Sequence, residues 1–343
     1  MTATPVLVDA FAGAGGFWLA SVGANLTPPV SWMGGKRRLA ADLLTLLGLH
    51  RGCRVPLLLG DSSWWGWVWP HVLDAEIGPR VSAILRGWRG EDPRALWFRL
   101  RDMGPVIDDV AEAAAQLLWL QGRAASGVPV WWESEVLHAA PGDGRASQLA
   151  ADRGSNGLRK WDRTRAGNVG PANQTHAAEP RLVQWADDGG TRTNAGKGYH
   201  GGGANGSRGG GIVDPGTIAH RLDAIRVAVD GIDITIERLD ARAFAEKWAP
   251  ILWRRAVVYL DPPYQGATGY PSTCPRSEVL AIADIWARHG ARVVLSEAVG
   301  LAADLGPGWD QVCLRSDRKP EWATVYGCDV RAALPPLLRA MAS

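Results

Sequence analysis

One stretch, Val257 to Tyr264, constrains the fold and the chemistry of this chain more than any other. It reads Val-Val-Tyr-Leu-Asp-Pro-Pro-Tyr. The four apolar or aromatic residues predict a short buried strand, because such runs are typical of strands covered on both faces. The strand ends at Asp261, and ligands of α/β sheets bind beyond the carboxyl ends of the strands. The sequence therefore predicts an acid, two prolines and an aromatic ring at the lip of a cleft.

The residues at this lip suit a flat substrate that carries an amino group. Pro262 and Pro263 fix their φ angles and remove two backbone donors, so Asp261 and Tyr264 are held with little freedom. An amino group on an aromatic ring is a poor nucleophile, because its lone pair is delocalised into the ring. A carboxylate and a carbonyl that accept its hydrogen bonds, with a stacked ring, would localise that lone pair and aim it at an electrophile. The alternative is a strand that ends in a proline turn, with an incidental Asp and Tyr.

Asp261, Pro262, Pro263 and Tyr264 resemble the Asp/Asn-Pro-Pro-Tyr/Phe/Trp motif of amino-methylating DNA methyltransferases. Enzymes of that class use S-adenosylmethionine, extrude the target base and methylate an exocyclic nitrogen. The resemblance implies that these four residues are catalytic. It also implies direct transfer without a covalent enzyme intermediate.

A second motif lies near the N-terminus, where Ser31-Trp32-Met33-Gly34-Gly35-Lys36 precedes a predicted helix. Two glycines that open a helix beside a lysine favour a carboxylate, since the helix N-terminus and the ammonium both attract negative charge. The segment resembles the Trp-Ala-Gly-Gly-Lys motif of Dam-type adenine methyltransferases, which contacts the methionine end of the cofactor. The resemblance implies that Trp32, Gly34, Gly35 and Lys36 bind the cofactor. The alternative is a glycine turn that caps a helix.

In the Dam-type order of elements, the cofactor strand follows this helix, which points to the run that ends at Gly60. The resemblance is imperfect, because the family pattern Pro-Phe-x-Gly-x-Gly is not reproduced after Gly60. Residues 67–73 are expected to lead to a second strand end, where Glu76, or else Asp74, would hold the cofactor ribose. The alternative for both residues is an exposed acid.

Asp240 precedes the segment Ala241-Arg242-Ala243-Phe244. It resembles the acid that lies shortly before the catalytic strand in this family, and it would hydrogen-bond the adenine of the cofactor. The alternative is that Asp240 is the N-cap of the following helix. The two roles are compatible.

The residues before the first motif contain another glycine turn. Val6 to Asp9 predict a strand, and Ala12-Gly13-Ala14-Gly15-Gly16-Phe17 follows it. This segment locally resembles the S-adenosylmethionine loop of methyltransferases, in which glycines let the backbone approach the cofactor. The expected ribose acid is missing about twenty residues later. An N-terminal arm or strand is the alternative, so the choice of glycine segment for the cofactor stays open.

Residues 136–212 differ in composition from the rest of the chain. They are rich in Gly, Asn, Ser, Thr, Arg and Asp, and they cannot bury enough apolar surface to form an independent core. The whole chain carries a net charge of only +2, so any nucleic-acid patch must be local. Predicted DNA-contacting residues are Arg159, Lys160, Arg163, Arg165 and Lys197, together with Tyr270 in the loop after the catalytic motif. A flexible linker with incidental charges is the alternative for the insert.

Alternating strands and helices predict an α/β fold: a Rossmann-like, S-adenosylmethionine-dependent methyltransferase sheet with a late antiparallel hairpin. The expected domains are a catalytic domain at 1–135 and 213–343, interrupted by a loop-rich target-recognition region at 136–212. The predicted partner is double-stranded DNA, and the chain is expected to be a monomer or a weak dimer. No apolar run reaches about eighteen residues, so a cytoplasmic protein without membrane contact is expected.

By resemblance to Dam-type enzymes, the expected reaction is methyl transfer from S-adenosylmethionine to adenine N6 in DNA. Two other interpretations remain open at this point. The Asp-Pro-Pro-Tyr motif does not fix the ring, so the amino group could belong to cytosine N4, RNA or protein. The irregular Gly60 segment also leaves room for an inactive DNA-binding relative.

Overall fold

The computed structural model describes residues 4–30, 35–123, 130–133, 136–139, 214–264, 274–315, 320–327 and 330. These residues form an α/β fold with a mixed seven-stranded sheet, compatible with a Rossmann-like architecture. The strands, in chain order, are β1 (Val6–Asp9), β2 (Leu57–Gly60), β3 (Val130–Glu133), β4 (Val136–Ala139), β5 (Ile234–Glu237), β6 (Ala256–Leu260), β7 (Arg292–Glu297), β8 (Trp309–Arg315) and β9 (Glu321–Tyr326). None of the helices in the described part of the chain has the length and apolarity that crossing a bilayer requires.

The helices lie between and around these strands. In chain order they are α1 (Trp18–Val22), α2 (Ala40–Leu46), α3 (Trp65–Leu73), α4 (Ile77–Gly87), α5 (Pro93–Asp102), α6 (Val110–Gly122), α7 (Pro215–Val229), α8 (Ala241–Leu252), α9 (Arg276–Arg288) and α10 (Ala302–Leu305). A short 3-10 turn at Trp253–Arg255 joins α8 to β6. Asp214 caps the start of α7 and Asp109 the start of α6, each by accepting backbone N–H groups.

The large sheet has the order β5-β2-β1-β6-β7-β9-β8. The first five strands in this order are parallel, and β9 pairs antiparallel with both β7 and β8. In the register of the sheet centre, Val8 lies between Leu58 of β2 and Val258 of β6. The late antiparallel hairpin expected from the sequence is therefore confirmed.

Both faces of the central strands are covered, which explains why their sequences are continuous apolar runs. Leu7, Val257 and Tyr259 belong to one core, and the alternate residues Val8 and Val258 belong to the other. The first core contains most of the buried indole rings, from Trp18, Trp65, Trp69, Trp97 and Trp119. Strands fixed on both faces hold their carboxyl ends rigidly, so residues just beyond those ends are positioned with little freedom.

The strand order reverses beside β1. The chain proceeds from β1 to β2 and later to β5 on one side, and then returns to β6 on the other side of β1. A crevice opens beyond the carboxyl ends of the strands at such a reversal, and ligands of open α/β sheets bind there. The β1 and β6 ends therefore mark the expected ligand site.

One expectation about this part of the chain is wrong. Residues 67–73 do not lead to a strand end, because they lie in α3, and Glu76 directly precedes α4. A continuous apolar run fits a buried helix as well as a strand, so periodicity alone did not separate them. The strand predicted at Val6–Asp9 is confirmed as β1, which lies in the middle of the five parallel strands.

The predicted insert falls mostly outside the described residues. Its first residues form β4, which pairs antiparallel with β3 in a separate two-stranded sheet. Residues 140–213 are not described, so the division into a catalytic domain and an insert stays a prediction.

Candidate functional site

An acid stands at the carboxyl end of each of the five parallel strands. Glu237, Asp9 and Glu297 are the last residues of β5, β1 and β7, and Asp61 and Asp261 directly follow β2 and β6. Glu321 begins β9 at the same edge, since β9 is antiparallel to β7 and Trp322 lies opposite Glu297. So many carboxylates at one edge create a negative potential that suits a cationic or donor-rich ligand.

Lys36 inserts its ammonium into this edge. Its Nζ lies 2.7 Å from Oδ1 of Asp261 and 3.5 Å from Oε1 of Glu321. It also lies 4.6 Å from the centroid of the Tyr264 ring, within the range of a cation–π contact. Only 6% of the Lys36 side chain is exposed. The glycine–lysine segment and the proline motif, which the sequence singled out separately, therefore form one site.

The Asp261 carboxyl has an unusual environment. Its pKa is raised to about 6 by all the effects together. Burial is the largest cause, Lys36 opposes the rise, and the negative charges of Glu321 and Glu297 add to it. Burial and the charge of Asp261 raise the pKa of the Tyr264 phenol, which stays protonated and donates a hydrogen bond to Glu321. At neutral pH, Asp261 is thus an ionised acceptor in a largely dry pocket.

The glycine turn after β1 borders the same site. Gly13 and Gly15 have φ angles of 46° and 85°, in the left-handed region that glycine adopts without strain. Ala12 N–H donates to the carbonyl of Gly60 at 3.0 Å, which ties the turn to the end of β2. The indole N–H of Trp69 donates to the carbonyl of Gly13 at 2.7 Å. The turn is therefore held in place at the strand ends.

Asp61 is a site residue that the sequence reasoning missed. Its carboxylate accepts hydrogen bonds from Gly13 N–H at 2.7 Å, from Ser63 N–H at 2.8 Å and from the Ser63 hydroxyl. Burial raises its pKa, and these hydrogen bonds oppose that rise. The expected acid was sought about twenty residues after the glycine turn, whereas Asp61 lies 48 residues after Gly13. The Leu57–Gly60 run followed by an acid was the available signal.

The two glycine segments touch each other. A Cβ atom added to Gly16 would lie 3.2 Å from the backbone N of Lys36 and 3.5 Å from Cα of Gly35. Contacts this close leave no room for a side chain at position 16 without a shift of the neighbouring backbone. The segments that were rival candidates for the cofactor are therefore two adjacent walls of one site.

Asp9 is a buried acid whose charge interacts with those of Asp261 and Asp61. It is only 1% exposed, and its carboxylate accepts a hydrogen bond from Phe11 N–H at 3.3 Å. Burial raises its pKa well above the ordinary value, and the charges of Asp261 and Asp61 raise it further. No role for Asp9 was expected from the sequence, because an acid that ends a strand carries no local signal of burial.

Gly60 packs against a side chain of α8, and Asp240 occupies the place expected of a helix N-cap. Gly60 lies against Phe244, because an added Cβ would lie 3.0 Å from three atoms of that ring. Asp240 is exposed and caps α8, since its carboxylate accepts from Arg242 N–H at 3.1 Å and Ala243 N–H at 2.9 Å. The N-cap expectation for Asp240 is confirmed, and its contact with the cofactor stays a prediction.

Glu76 lies apart from the acidic edge described above. It is exposed at the start of α4, and its N–H donates to Asp74 at 2.8 Å. Asp74 also accepts from Ile77 N–H, so the acid that caps this turn is Asp74. The strand end that motivated a ribose contact by Glu76 does not exist.

The remaining predicted site residues lie outside the described residues. They are Trp32, Gly34, Tyr270, Arg159, Lys160, Arg163, Arg165 and Lys197. Their assignments to cofactor and DNA stay predictions. Pro262 is buried and Pro263 half-buried beside Asp261, as the predicted rigid lip requires.

The described residues bring together the parts that amino-group chemistry requires. Asp261 supplies an ionised acceptor and Tyr264 an aromatic ring, and the buried turn that contains Gly13 and Gly15 lies beside them. Lys36 couples these parts through one buried ammonium. Comparison of the chain with known proteins found neither a matching family model nor a matching curated protein.

Proposed function

We propose that this protein is an S-adenosylmethionine-dependent DNA methyltransferase that acts on the N6 amino group of adenine. One observation carries the proposal: the Asp261–Lys36 pair lies against the glycine turn, at the point where the strand order reverses. A carboxylate able to orient an amino group thus stands beside backbone able to approach a cofactor. The resemblance of Asp261 to Tyr264 to the amino-methyltransferase motif supplies the reaction class.

The residues present fit S-adenosylmethionine. When bound, this cofactor supplies a methyl group on a positively charged sulfur, and the acidic edge around Asp9 and Asp61 suits that charge. Gly16 packs directly against the backbone of Lys36 and Gly35, so the two glycine segments form adjacent walls of the proposed cofactor site. Asp61 takes the ribose role that was expected of Glu76, because it follows β2 and borders the glycine turn.

The residues of the lip would activate the base. Asp261 and the Pro262 carbonyl accept the two hydrogens of the amino group, and Tyr264 stacks on the ring. The nitrogen lone pair would then be aimed at the methyl group that a bound cofactor supplies, with the neutral thioether as leaving group, and the proton released from the nitrogen would pass to solvent. Positioning and charge are sufficient for this transfer, so no enzyme nucleophile is required.

The assignment to DNA rests on the insert at 136–212 and on the resemblance to Dam-type enzymes. The excess of Arg and Lys among the predicted contacts suits phosphate binding and accounts for DNA affinity in a chain of net charge +2. Extrusion of the adenine would bring its amino group to Asp261.

Mass analysis of nucleosides tests this proposal. The full chain is incubated with methyl-labelled S-adenosylmethionine and either duplex DNA or RNA, and the nucleic acid is then digested. Labelled N6-methyldeoxyadenosine is the expected product. Labelled N4-methyldeoxycytidine, or label confined to RNA, would show that the protein methylates a different amino group and would contradict the assignment to adenine N6 in DNA. DNA binding without any labelled nucleoside would identify an inactive relative.

A further inference from the structure

Glu321 takes part in the site although no sequence motif contains it. Its carboxylate accepts a hydrogen bond from the hydroxyl of Tyr264, which lies 57 residues earlier in the sequence. Oε1 of Glu321 also lies 3.5 Å from Nζ of Lys36. Its side chain is only 13% exposed. A mostly buried carboxylate that contacts both the Tyr264 hydroxyl and the Lys36 ammonium can fix the positions of both groups.

The Lys36 ammonium already uses one oxygen of the acceptor that the substrate needs. It donates to Oδ1 of Asp261 at 2.7 Å, and the amino group of a target base would donate to the same carboxylate. While the ammonium is paired with Asp261 it offsets part of the charge of that carboxylate, so the base is held more strongly when Lys36 moves away. Glu321 is the neighbouring carboxylate, and a shift of less than about 1 Å would bring Nζ into hydrogen-bonding distance of it.

We propose that Glu321 is a positioning residue of this site, which fixes the Tyr264 ring and receives the Lys36 ammonium when the amino group of the base binds Asp261. This inference rests on the proposed function, since it assigns an amino-bearing base to the lip. Without Glu321, the ammonium keeps Asp261 as its strongest partner and competes with the base. Base binding should then weaken more than the transfer step.

The charges around Asp261 provide an independent readout. Asp261 is faced by Lys36, by Glu321 of β9 and Glu297 of β7, by Asp9 of β1, and by the phenols of Tyr259 and Tyr264. Since Glu321 raises the pKa of Asp261, its neutralisation must lower that pKa. Loss of the Tyr264 hydroxyl alone leaves the charge of Glu321 in place and should not lower it.

Three variants separate the two roles of Glu321. Glu321→Gln keeps an acceptor for the Tyr264 phenol and removes the charge that attracts Lys36. Tyr264→Phe removes the phenol and keeps the charge. Lys36→Met removes the competing ammonium, alone and combined with Glu321→Gln.

Steady-state kinetics at saturating cofactor are the first measurement. Glu321→Gln should raise KM for DNA about tenfold with a smaller change in kcat, in line with the loss of a charged hydrogen-bond partner. In the Lys36→Met background the same substitution should change KM little, because no ammonium remains to compete. An unchanged KM in Glu321→Gln, or an equal effect in both backgrounds, would overturn the inference.

A ¹³C NMR titration of labelled aspartate carboxyls is the second, with the Asp261 signal assigned through Asp261→Asn. Glu321→Gln should lower the pKa of Asp261 from about 6, whereas Tyr264→Phe should not. This readout needs no turnover, so an inactive wild type would refute the proposed function while the titration still decides whether Glu321 acts on the site. If Glu321→Gln fails to fold, Glu321→Ala replaces it, because it also removes the charge; a wild-type KM in that variant would contradict the hand-over of Lys36.

Discussion

Lys36 and Asp261 are direct partners, with 2.7 Å between Nζ and Oδ1. The pair joins the glycine–lysine segment near the start of the chain to the proline motif that follows β6. Both side chains are largely buried, with exposed fractions of 6% and 18%. Removal of either partner leaves a charge without its main counterion in a poorly solvated place, so the pair sets the protonation behaviour of the site.

The first prediction concerns the pH dependence of methyl transfer. Asp261 must be ionised to accept the amino hydrogens, so kcat/KM should fall as pH drops through about 6. Lys36 lowers the pKa of Asp261, so Lys36→Met should move this acidic limb to higher pH. The measurement is a pH–rate profile at saturating cofactor. Lys247→Met, which removes an exposed lysine paired with Glu237, should leave the limb in place, and a limb unmoved by Lys36→Met would contradict the expectation.

The second prediction decides between two acids for the cofactor ribose. Asp61→Asn should weaken S-adenosylmethionine binding about tenfold or more. Asp61 borders the glycine turn, and its carboxylate accepts partly buried hydrogen bonds from Gly13 N–H and Ser63 N–H. Glu76→Ala should leave the affinity unchanged, since Glu76 is exposed before α4. Calorimetric titration without DNA measures both. The reverse pattern, with affinity lost only in Glu76→Ala, would refute the placement of the cofactor at β1 and β2.

The third prediction tests the contact between the two glycine segments. Gly16→Ala should push Lys36 and Gly35 away from the glycine turn and lower cofactor affinity, because the added Cβ would meet Lys36 N at 3.2 Å. Gly87→Ala is the matched control, since a Cβ at Gly87 in α4 meets nothing within 4 Å. The control should bind the cofactor normally and gain up to about 1 kcal/mol of stability. Equal affinities for the two variants would show that this contact does not shape the cofactor site.

The fourth prediction concerns Asp9 and stability. The pKa of Asp9 is 3.8 in an ordinary setting and well above that in the folded chain. The free energy of unfolding therefore falls as pH rises from about 3.8 to the raised pKa, because the folded chain must hold a proton that the unfolded chain releases. Asp9→Asn keeps an oxygen that can accept from Phe11 N–H and removes this ionisation. Its Tm should exceed that of the wild type by a margin that grows with pH from 4 to 8.

Thermal unfolding across that pH range measures the margin. The exposed Asp310→Asn serves as the control and should follow the wild-type pH dependence. A Tm difference between Asp9→Asn and the wild type that is constant or shrinks with rising pH would show that ionisation of Asp9 does not destabilise the folded chain.

Much of the sheet and the lip at Asp261 could be predicted from local patterns. The continuous apolar run predicted β6, and the end of β6 at Leu260 placed Asp261 directly beyond the strand. The antiparallel pair of strands near the end of the chain was also confirmed. These elements are long or strongly patterned, so their own sequence determines them.

The parts that could not be predicted depend on contacts distant in sequence. The order of strands puts β1 in the middle of the five parallel strands, and no local sequence pattern shows that position. Asp61 lies in the candidate site because it accepts a hydrogen bond from Gly13 N–H. Glu321 lies there because it contacts Tyr264 and Lys36. The run at residues 67–73 fitted both a strand and a helix, and packing of Trp69 against Trp18 and Trp65 accompanies the helix. The family spacing directed the search for an acid to about twenty residues after the glycine turn, whereas Asp61 lies 48 residues after Gly13.

The most direct test of the central claim is the single-turnover rate of methyl transfer by Asp261→Ala, measured with saturating cofactor and DNA. Asp261 is assigned to the reacting amino group and not to the cofactor, so the rate should fall at least about a hundredfold while S-adenosylmethionine affinity stays near the wild-type value. A rate within about threefold of wild type would contradict the account, because the hydrogen bond from the base to Asp261 would then contribute almost nothing to the transition state.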